Sequence, residues 1–110
     1  MAFDEALASR VRGALRPVGE RLVEKRMFGG VAFLLSGNMC CGVHGDELIV
    51  RLDPERAEEA LSEPHVRVFD LTGRPMKGWV LVAPSGVATD GELRSWVARA
   101  AEYAGTLPAK

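Results

Sequence analysis

The sequence predicts an α+β domain with one antiparallel sheet and the element order helix–strands–helix–strands–helix. Three observations support this class. Apolar residues recur at helical spacing near both ends of the 110-residue chain. Between these ends, short apolar runs are separated by glycine-containing pairs that favour tight hairpin turns. No repeat, low-complexity tract or long linker interrupts residues 1–110, so we expect a single domain.

The first predicted helix spans residues 3–16. Its apolar residues recur at steps of three or four, which places them on one face: Phe3, Leu7, Val11, Leu15 and Val18. The arginines between them fall mostly off this face and are expected to meet solvent. Pro17 and Gly19 end the helical pattern.

A meander of antiparallel strands is predicted next, with strands near 22–28, 30–36, 39–44 and 47–52. Gly37-Asn38 and Gly45-Asp46 each separate two apolar runs, and these residue types tolerate the positive φ of two-residue turns. The last strand alternates between an apolar face and a mixed one: Leu48, Val50 and Leu52 against Glu47, Ile49 and Arg51. We therefore expect one face of the sheet to be buried.

A second helix and two more strands follow the meander. Asp53-Pro54 favours a helix start, with aspartate as the N-cap and proline at the first helical position, and Glu63-Pro64 ends that helix. Strands are predicted at 66–69 and 79–83. The segment LTGRPMKG between them is a loop by its glycine and proline content.

The final helix has the clearest start signal. Thr89 and Glu92 match a capping box, in which each side chain accepts a hydrogen bond from the backbone N–H of the other residue. Apolar residues then recur at helical spacing: Leu93, Trp96, Val97, Ala100 and Ala104. Gly105 is placed to end this helix.

The glycine pair in KRMFGGVAFL is predicted to serve chain geometry. A phosphate-binding loop would need a following lysine with serine or threonine and then a helix, whereas an apolar strand follows here. A dinucleotide fingerprint would need three spaced glycines. We therefore expect Gly29 and Gly30 to form a structural turn, with Lys25 and Arg26 in solvent before it, and Gly30→Val to damage folding.

The sequence predicts no catalytic residue, no metal, no cofactor and no enzyme activity. His44, His65 and the two cysteines lack the ligand spacing of a zinc site. Cys40 and Cys41 are adjacent, and successive strand residues face opposite sides, so one thiol is expected in the core and the other facing away from it. No hydrolase, zinc-protease or paired-carboxylate motif is present.

The location predicted from composition is the cytoplasm. No apolar stretch approaches the roughly 18 residues of a membrane helix. The N-terminal segment lacks the apolar core of a secretory signal. The two adjacent cysteines cannot build an extracellular disulfide framework. We therefore expect no membrane contact.

Charge is unevenly distributed along a chain whose formal net charge is −1. Six basic and two acidic residues lie between Arg10 and Arg26, whereas seven acidic and two basic residues lie between Asp46 and Glu63. Such asymmetry fits either an interaction surface or two solvated faces of opposite sign. On the first reading the candidate contact residues are Arg10, Arg12, Arg16, Arg21, Lys25 and Arg26.

The loop before the last strand offers a second candidate surface. Arg74 and Lys77 lie beside Met76 and Trp79, a combination that suits docking of an acidic partner. The alternative is a connector in which Met76 and Trp79 fold back onto the core.

The ordered set of motifs resembles the TfoX (Sxy) N-terminal domain family. The resemblance is carried by four segments in the family's order: KRMFGG at 25–30, SGNM at 36–39, DELIVRLD at 46–53 and RPM at 74–76. It implies a compact α+β domain with a secretion-chaperone-like topology. Full-length members have a second, helical C-terminal domain and act in bacterial competence, where they help the cAMP receptor protein to activate certain promoters. We expect this chain to be a stand-alone N-terminal domain.

The resemblance and the charge pattern lead to three hypotheses about function. The first is a non-enzymatic interaction or regulatory module with a transcription-related protein partner, and direct contact with nucleic-acid phosphates is its weaker variant. The second is a small-molecule binder or unrecognised enzyme with a pocket between sheet and helices, lined by Arg51, Cys40, His44 and Lys77. The third is a homodimer formed through a strand edge or an apolar sheet face.

Overall fold

The computed structural model describes residues 3–27, 29–70, 73–74 and 76–109. Within them, three α-helices and six strands follow the predicted order: α1 Glu5–Ala14, β1 Leu22–Met27, β2 Gly30–Leu35, β3 Asn38–His44, β4 Glu47–Arg51, α2 Pro54–Ala60, β5 Val66–Val68, β6 Trp79–Val82 and α3 Asp90–Gly105. Short 3-10 turns span Arg16–Arg21 and Pro84–Gly86. The α+β class is confirmed. Phe28 of the segment KRMFGG and Pro75 of the segment RPM lie outside the described residues.

The strands form one antiparallel sheet in the order β1-β2-β3-β4-β6-β5. The first four strands follow chain order because each is joined to the next by a two-residue loop, too short to reach any other position. The chain then passes through α2 to β5 and returns, so that β6 lies between β4 and β5. Strand β1 is therefore one edge of the sheet and β5 the other.

One predicted turn is displaced by a single residue. Asn38 pairs with Leu35 at the start of β3, so the loop is Ser36-Gly37 and the predicted pair Gly37-Asn38 is wrong. Ser36 and Gly37 have φ of +51° and +85°, which matches a turn that needs positive φ at both central residues. The second predicted turn, Gly45-Asp46, is confirmed by the pairing of the residues on either side of it.

Helices α1 and α3 cover one face of the sheet and enclose the main core. Its largest fully buried side chains come from the strands, both helices and the residue after α1: Val11, Leu15, Phe33, Val43, Leu48, Val50, Val80, Val82 and Leu93. The predicted capping box starts α3, since the Glu92 N–H donates to Thr89 Oγ1 at 3.1 Å and the Thr89 N–H donates to Glu92 Oε1 at 3.1 Å. Asp53 caps α2 as expected.

The opposite face of the sheet is also buried, which the alternation in β4 did not predict. Ile49 is 1 % exposed and packs with Ala32, Met39, Leu81 and Phe69 in a second, smaller core. Phe69, which directly follows β5, is one of the residues that cover this face. The rings of Phe69 and Trp79 lie 5.6 Å apart, so Trp79 does fold onto the core, whereas Met76 stays 36 % exposed.

Among the described residues, no helix has the length and apolar character needed to cross a membrane.

Candidate functional site

The basic edge is the surface formed by Arg16, Arg21, Lys25 and Arg26. The first two begin and end the 3-10 turn that leads directly into β1, and the other two lie on β1 itself. All four side chains are exposed. The structure therefore brings together four of the six cations that the sequence singled out near the N-terminus. The position of β1 at the sheet edge agrees with its charge, since edge strands commonly carry lysine and other charged residues.

Two contacts involve charged residues at or beside the basic edge. Arg12 on α1 donates from Nε and Nη2 to the two carboxylate oxygens of Glu24 on β1, at 2.7 and 3.0 Å. These hydrogen bonds lower the pKa of Glu24 below its ordinary value, so that carboxylate stays ionised and is neutralised by Arg12. The Arg26 guanidinium lies 5.2 Å from the ring centre of Phe3.

The remaining three cations of the basic edge are not neutralised by a carboxylate of the described residues. Arg16, Arg21 and Lys25 make no ion pair with any residue that the structure describes. Because they are exposed and unpaired, their charge is available to a partner. The contacts of Arg12 with Glu24 and of Arg26 with Phe3 could not be predicted from the sequence, because each joins residues far apart along the chain.

The other predicted contact residues lie elsewhere. Arg10 donates from Nη2 to the Val87 carbonyl at 2.8 Å and to Asp90 Oδ1 at 3.4 Å, so it ties α1 to the start of α3. Arg74 and Lys77 are exposed in the loop before β6, on the far side of the sheet order from β1. The predicted surface is therefore divided among three places.

Three of the seven acidic residues from Asp46 to Glu63 form a helix cap or an ion pair within the fold. Asp53 caps α2, Glu47 pairs with Arg67 on β5 at 2.7 Å, and Glu63 pairs with Arg99 on α3 at 2.9 Å. An open groove of about 500 Å³ lies between α2 and the second half of α3 and is lined mainly by charged residues: Asp53, Arg56, Glu59, Glu63, Arg99, Glu102 and Tyr103.

The pocket predicted from Arg51, Cys40, His44 and Lys77 is not assembled. Cys40 lies inside the main core with no exposed surface. The Arg51 guanidinium lies 5.2 Å from the centre of the Trp79 ring and 5.8 Å from that of Tyr103 on α3. Lys77 lines an open groove of about 470 Å³ beside Val68 and Met76.

The expectation that the two thiols face opposite sides is wrong. Cys40 and Cys41 both have no exposed surface, belong to the same core and have Sγ atoms 3.6 Å apart. The cause is a β-bulge. Phe33 pairs with Cys41 and Leu34 pairs with Met39, so Cys40 is an extra residue without a partner across the ladder. Such an extra residue interrupts the alternation of side chains between the two faces.

We expect the two thiols to be unreactive in the folded protein. The hydrogen bond between the two thiols, together with burial, raises the pKa of Cys41 well above its ordinary value, whereas the same hydrogen bond lowers the pKa of Cys40. Neither sulfur has exposed surface, so a reagent cannot reach them in the folded protein. Labelling with a thiol reagent should stay about a hundredfold slower than in denaturant, because the reagent reaches both sulfurs only when the structure opens.

The control for this labelling experiment is Ser95→Cys, which introduces an exposed thiol on α3. This thiol should react at once in the folded protein. Native cysteines that react as fast as this control would contradict their burial.

Comparison with known proteins gives one match. A family model described as the TfoX N-terminal domain matches residues 14–104, from the end of α1 to the last turn of α3. The matched region contains both the basic edge and the Gly29-Gly30 turn. No curated protein and no solved structure matches the chain.

Proposed function

Because the chain belongs to the TfoX N-terminal domain family, we propose that it is a small non-enzymatic regulatory module of the bacterial cytoplasm that binds a transcription-related protein partner. The observation that carries this proposal is the basic edge, where Arg16, Arg21 and Lys25 are exposed and unpaired among the described residues. Exposed charges of one sign speed the encounter with a complementary surface and disfavour other partners.

The placement of the chemically reactive groups supports binding over catalysis. The two thiols are buried against each other, and Arg51 is stacked on an aromatic ring. These groups support the fold, whereas the unpaired cations of the basic edge contribute little to it, since charges at exposed positions add little stability. A surface that is dispensable for folding is free to be used for recognition.

A double charge reversal tests the proposal. Arg21→Glu and Lys25→Glu together reverse two unpaired charges of the basic edge. Arg56→Glu and Arg94→Glu, made at exposed positions outside both candidate surfaces, form the control with the same change of charge. Each protein is used as bait in an extract of the source cell, and retained proteins are quantified by mass spectrometry. We expect transcription-related proteins to be retained by the wild type and the control, and to fall by about tenfold or more with the basic-edge variant.

Retention of the same proteins at the same level by all three baits would overturn the proposal. Thermal melting of each bait shows that the variants are folded. If the retained material is nucleic acid, with binding that falls steeply as salt rises, the basic edge contacts phosphates instead of a protein.

A further inference from the structure

We propose that the outer edge of β1 binds an extended acidic segment of the partner as an additional strand of the sheet. This inference rests on the proposed function and specifies its partner and geometry. Binding of an extended peptide to an open sheet edge takes its affinity from main-chain hydrogen bonds and its specificity from the side chains on either face.

The backbone of β1 presents free hydrogen-bonding groups at this edge. The Ser36 N–H donates to the Arg21 carbonyl at 2.9 Å, so the backbone groups of Arg21 point towards β2. In an antiparallel pair these directions alternate along the strand. The N–H and C=O groups of Glu24 and Arg26 therefore point away from the sheet. The Leu22 N–H does so too, and it bonds the Gly19 carbonyl within the preceding turn.

The two edges of the sheet differ in their capacity to accept a strand. Strand β1 has six residues, whereas β5 at the other edge has three. The central residue of β5, Arg67, is held by Glu47 at 2.7 Å and by Asp70 at 3.3 Å. Very short edge strands are one of the ways in which proteins prevent further pairing. The β1 edge is therefore the place where the sheet can be extended.

The side chains beside these backbone groups select an acidic segment. Lys25 carries an unpaired charge on the face opposite the helices, next to Val23, whose surface is 49 % exposed. Arg26 lies on the helical face over Phe3. The one acidic residue of the strand, Glu24, is already paired with Arg12. An incoming strand thus meets positive charge on both faces, and opposite charges across neighbouring strands stabilise their pairing.

A second copy of this chain fits the edge less well. In the antiparallel pairing of two β1 strands about a two-fold axis, the register centred on Val23 places Arg21 opposite Lys25. The register centred on Glu24 places two glutamates opposite each other. The register centred on Lys25 places two lysines opposite each other and Glu24 opposite Arg26, but Glu24 is already paired with Arg12. Like charges directly opposite are destabilising. The strand therefore disfavours its own copy and favours an acidic partner.

The test uses a displayed library of random peptides, each about twelve residues long, selected against the whole chain. Glu24→Pro removes one outward N–H without touching the ladder to β2, and edge strands tolerate proline. Glu24→Ala is its matched control, because it loses the same ion pair with Arg12 and keeps the N–H. We expect the selected peptides to be acidic, to bind Glu24→Ala about as well as the wild type and to bind Glu24→Pro roughly tenfold or more weakly.

Amide hydrogen exchange gives a second readout that needs no variant. In the free wild type, the Glu24 and Arg26 amides should exchange quickly and the Val23 and Lys25 amides slowly. A selected peptide should slow the exchange at Glu24 and Arg26. Peptides without acidic residues, or bound peptides that leave these two amides unprotected, would overturn the inference.

The two proposals fail in different ways. If the partner is lost on charge reversal but binds Glu24→Pro as well as Glu24→Ala, the proposed function stands and the strand pairing is wrong. If the charge-reversed and proline variants both retain the partner, both proposals are wrong. If short duplex DNA binds and the Glu24 amide stays unprotected, the edge contacts phosphates and does not pair with a strand.

Discussion

Gly30→Val is expected to remove most of the stability of the folded chain. A Cβ atom at Gly30 would overlap the Val43 carbonyl oxygen and would lie 3.1 Å from the Val43 carbonyl carbon and 3.2 Å from the His44 Cα. All three atoms belong to the β3 backbone, which cannot move away without breaking the ladder between β2 and β3. We expect a loss of several kcal/mol, a large part of the about 5–15 kcal/mol typical of a domain.

The matched control for this prediction is a glycine in open space. Gly13 lies in α1, and a Cβ there would meet nothing within 4 Å. Gly13→Ala should therefore raise the free energy of unfolding by about 0.5–1 kcal/mol, because glycine is a poor helix former. Gly30→Ala should also lower the free energy of unfolding, as Gly30→Val does. Urea titration followed by circular dichroism measures all three, and a Gly30→Val protein with the wild-type midpoint would refute the structural role.

Phe69→Ala is expected to cost about 3–5 kcal/mol, as for other large core side chains. Phe69 is 1 % exposed although it follows a three-residue edge strand. It lies against Trp79, and its carbonyl accepts a hydrogen bond from the Met76 N–H at 3.1 Å. Its loss would open a cavity beside Ile49 and Leu81.

The control is Val68→Ala, because Val68 directly precedes Phe69 and is 38 % exposed. We expect this change to cost about 1 kcal/mol or less. The two variants are compared by chemical denaturation under the same conditions. Equal costs for Phe69→Ala and Val68→Ala would show that the second core does not contribute to stability.

The meander could be predicted from the sequence because its signals are local. Gly45-Asp46 forms a loop of two residues, and Gly29 stands directly before β2, which starts at Gly30. Such short loops force neighbouring strands to pair. The capping box at Thr89 and the Asp53-Pro54 helix start are equally local, since each involves residues within one turn. These elements agree with the structure for that reason.

The features that the sequence did not predict depend on contacts between distant segments. The bulge at Cys40 is set by the register of β3 against β2, which residue types in either strand do not fix. The second core depends on Phe69, just after β5, packing with Ile49 across 20 positions of sequence. The division of the predicted cations into three places follows from the same long-range geometry.

The insertion of β6 between β4 and β5 also has a kinetic consequence. Strands β1 to β4 can form in succession, because each closes only a short loop on its predecessor, whereas β5 has no strand to pair with until β6 has bound to β4. The sheet should therefore nucleate in the meander and be completed late by β5 and β6 together. Weakening β6 should then accelerate unfolding far more than it slows refolding.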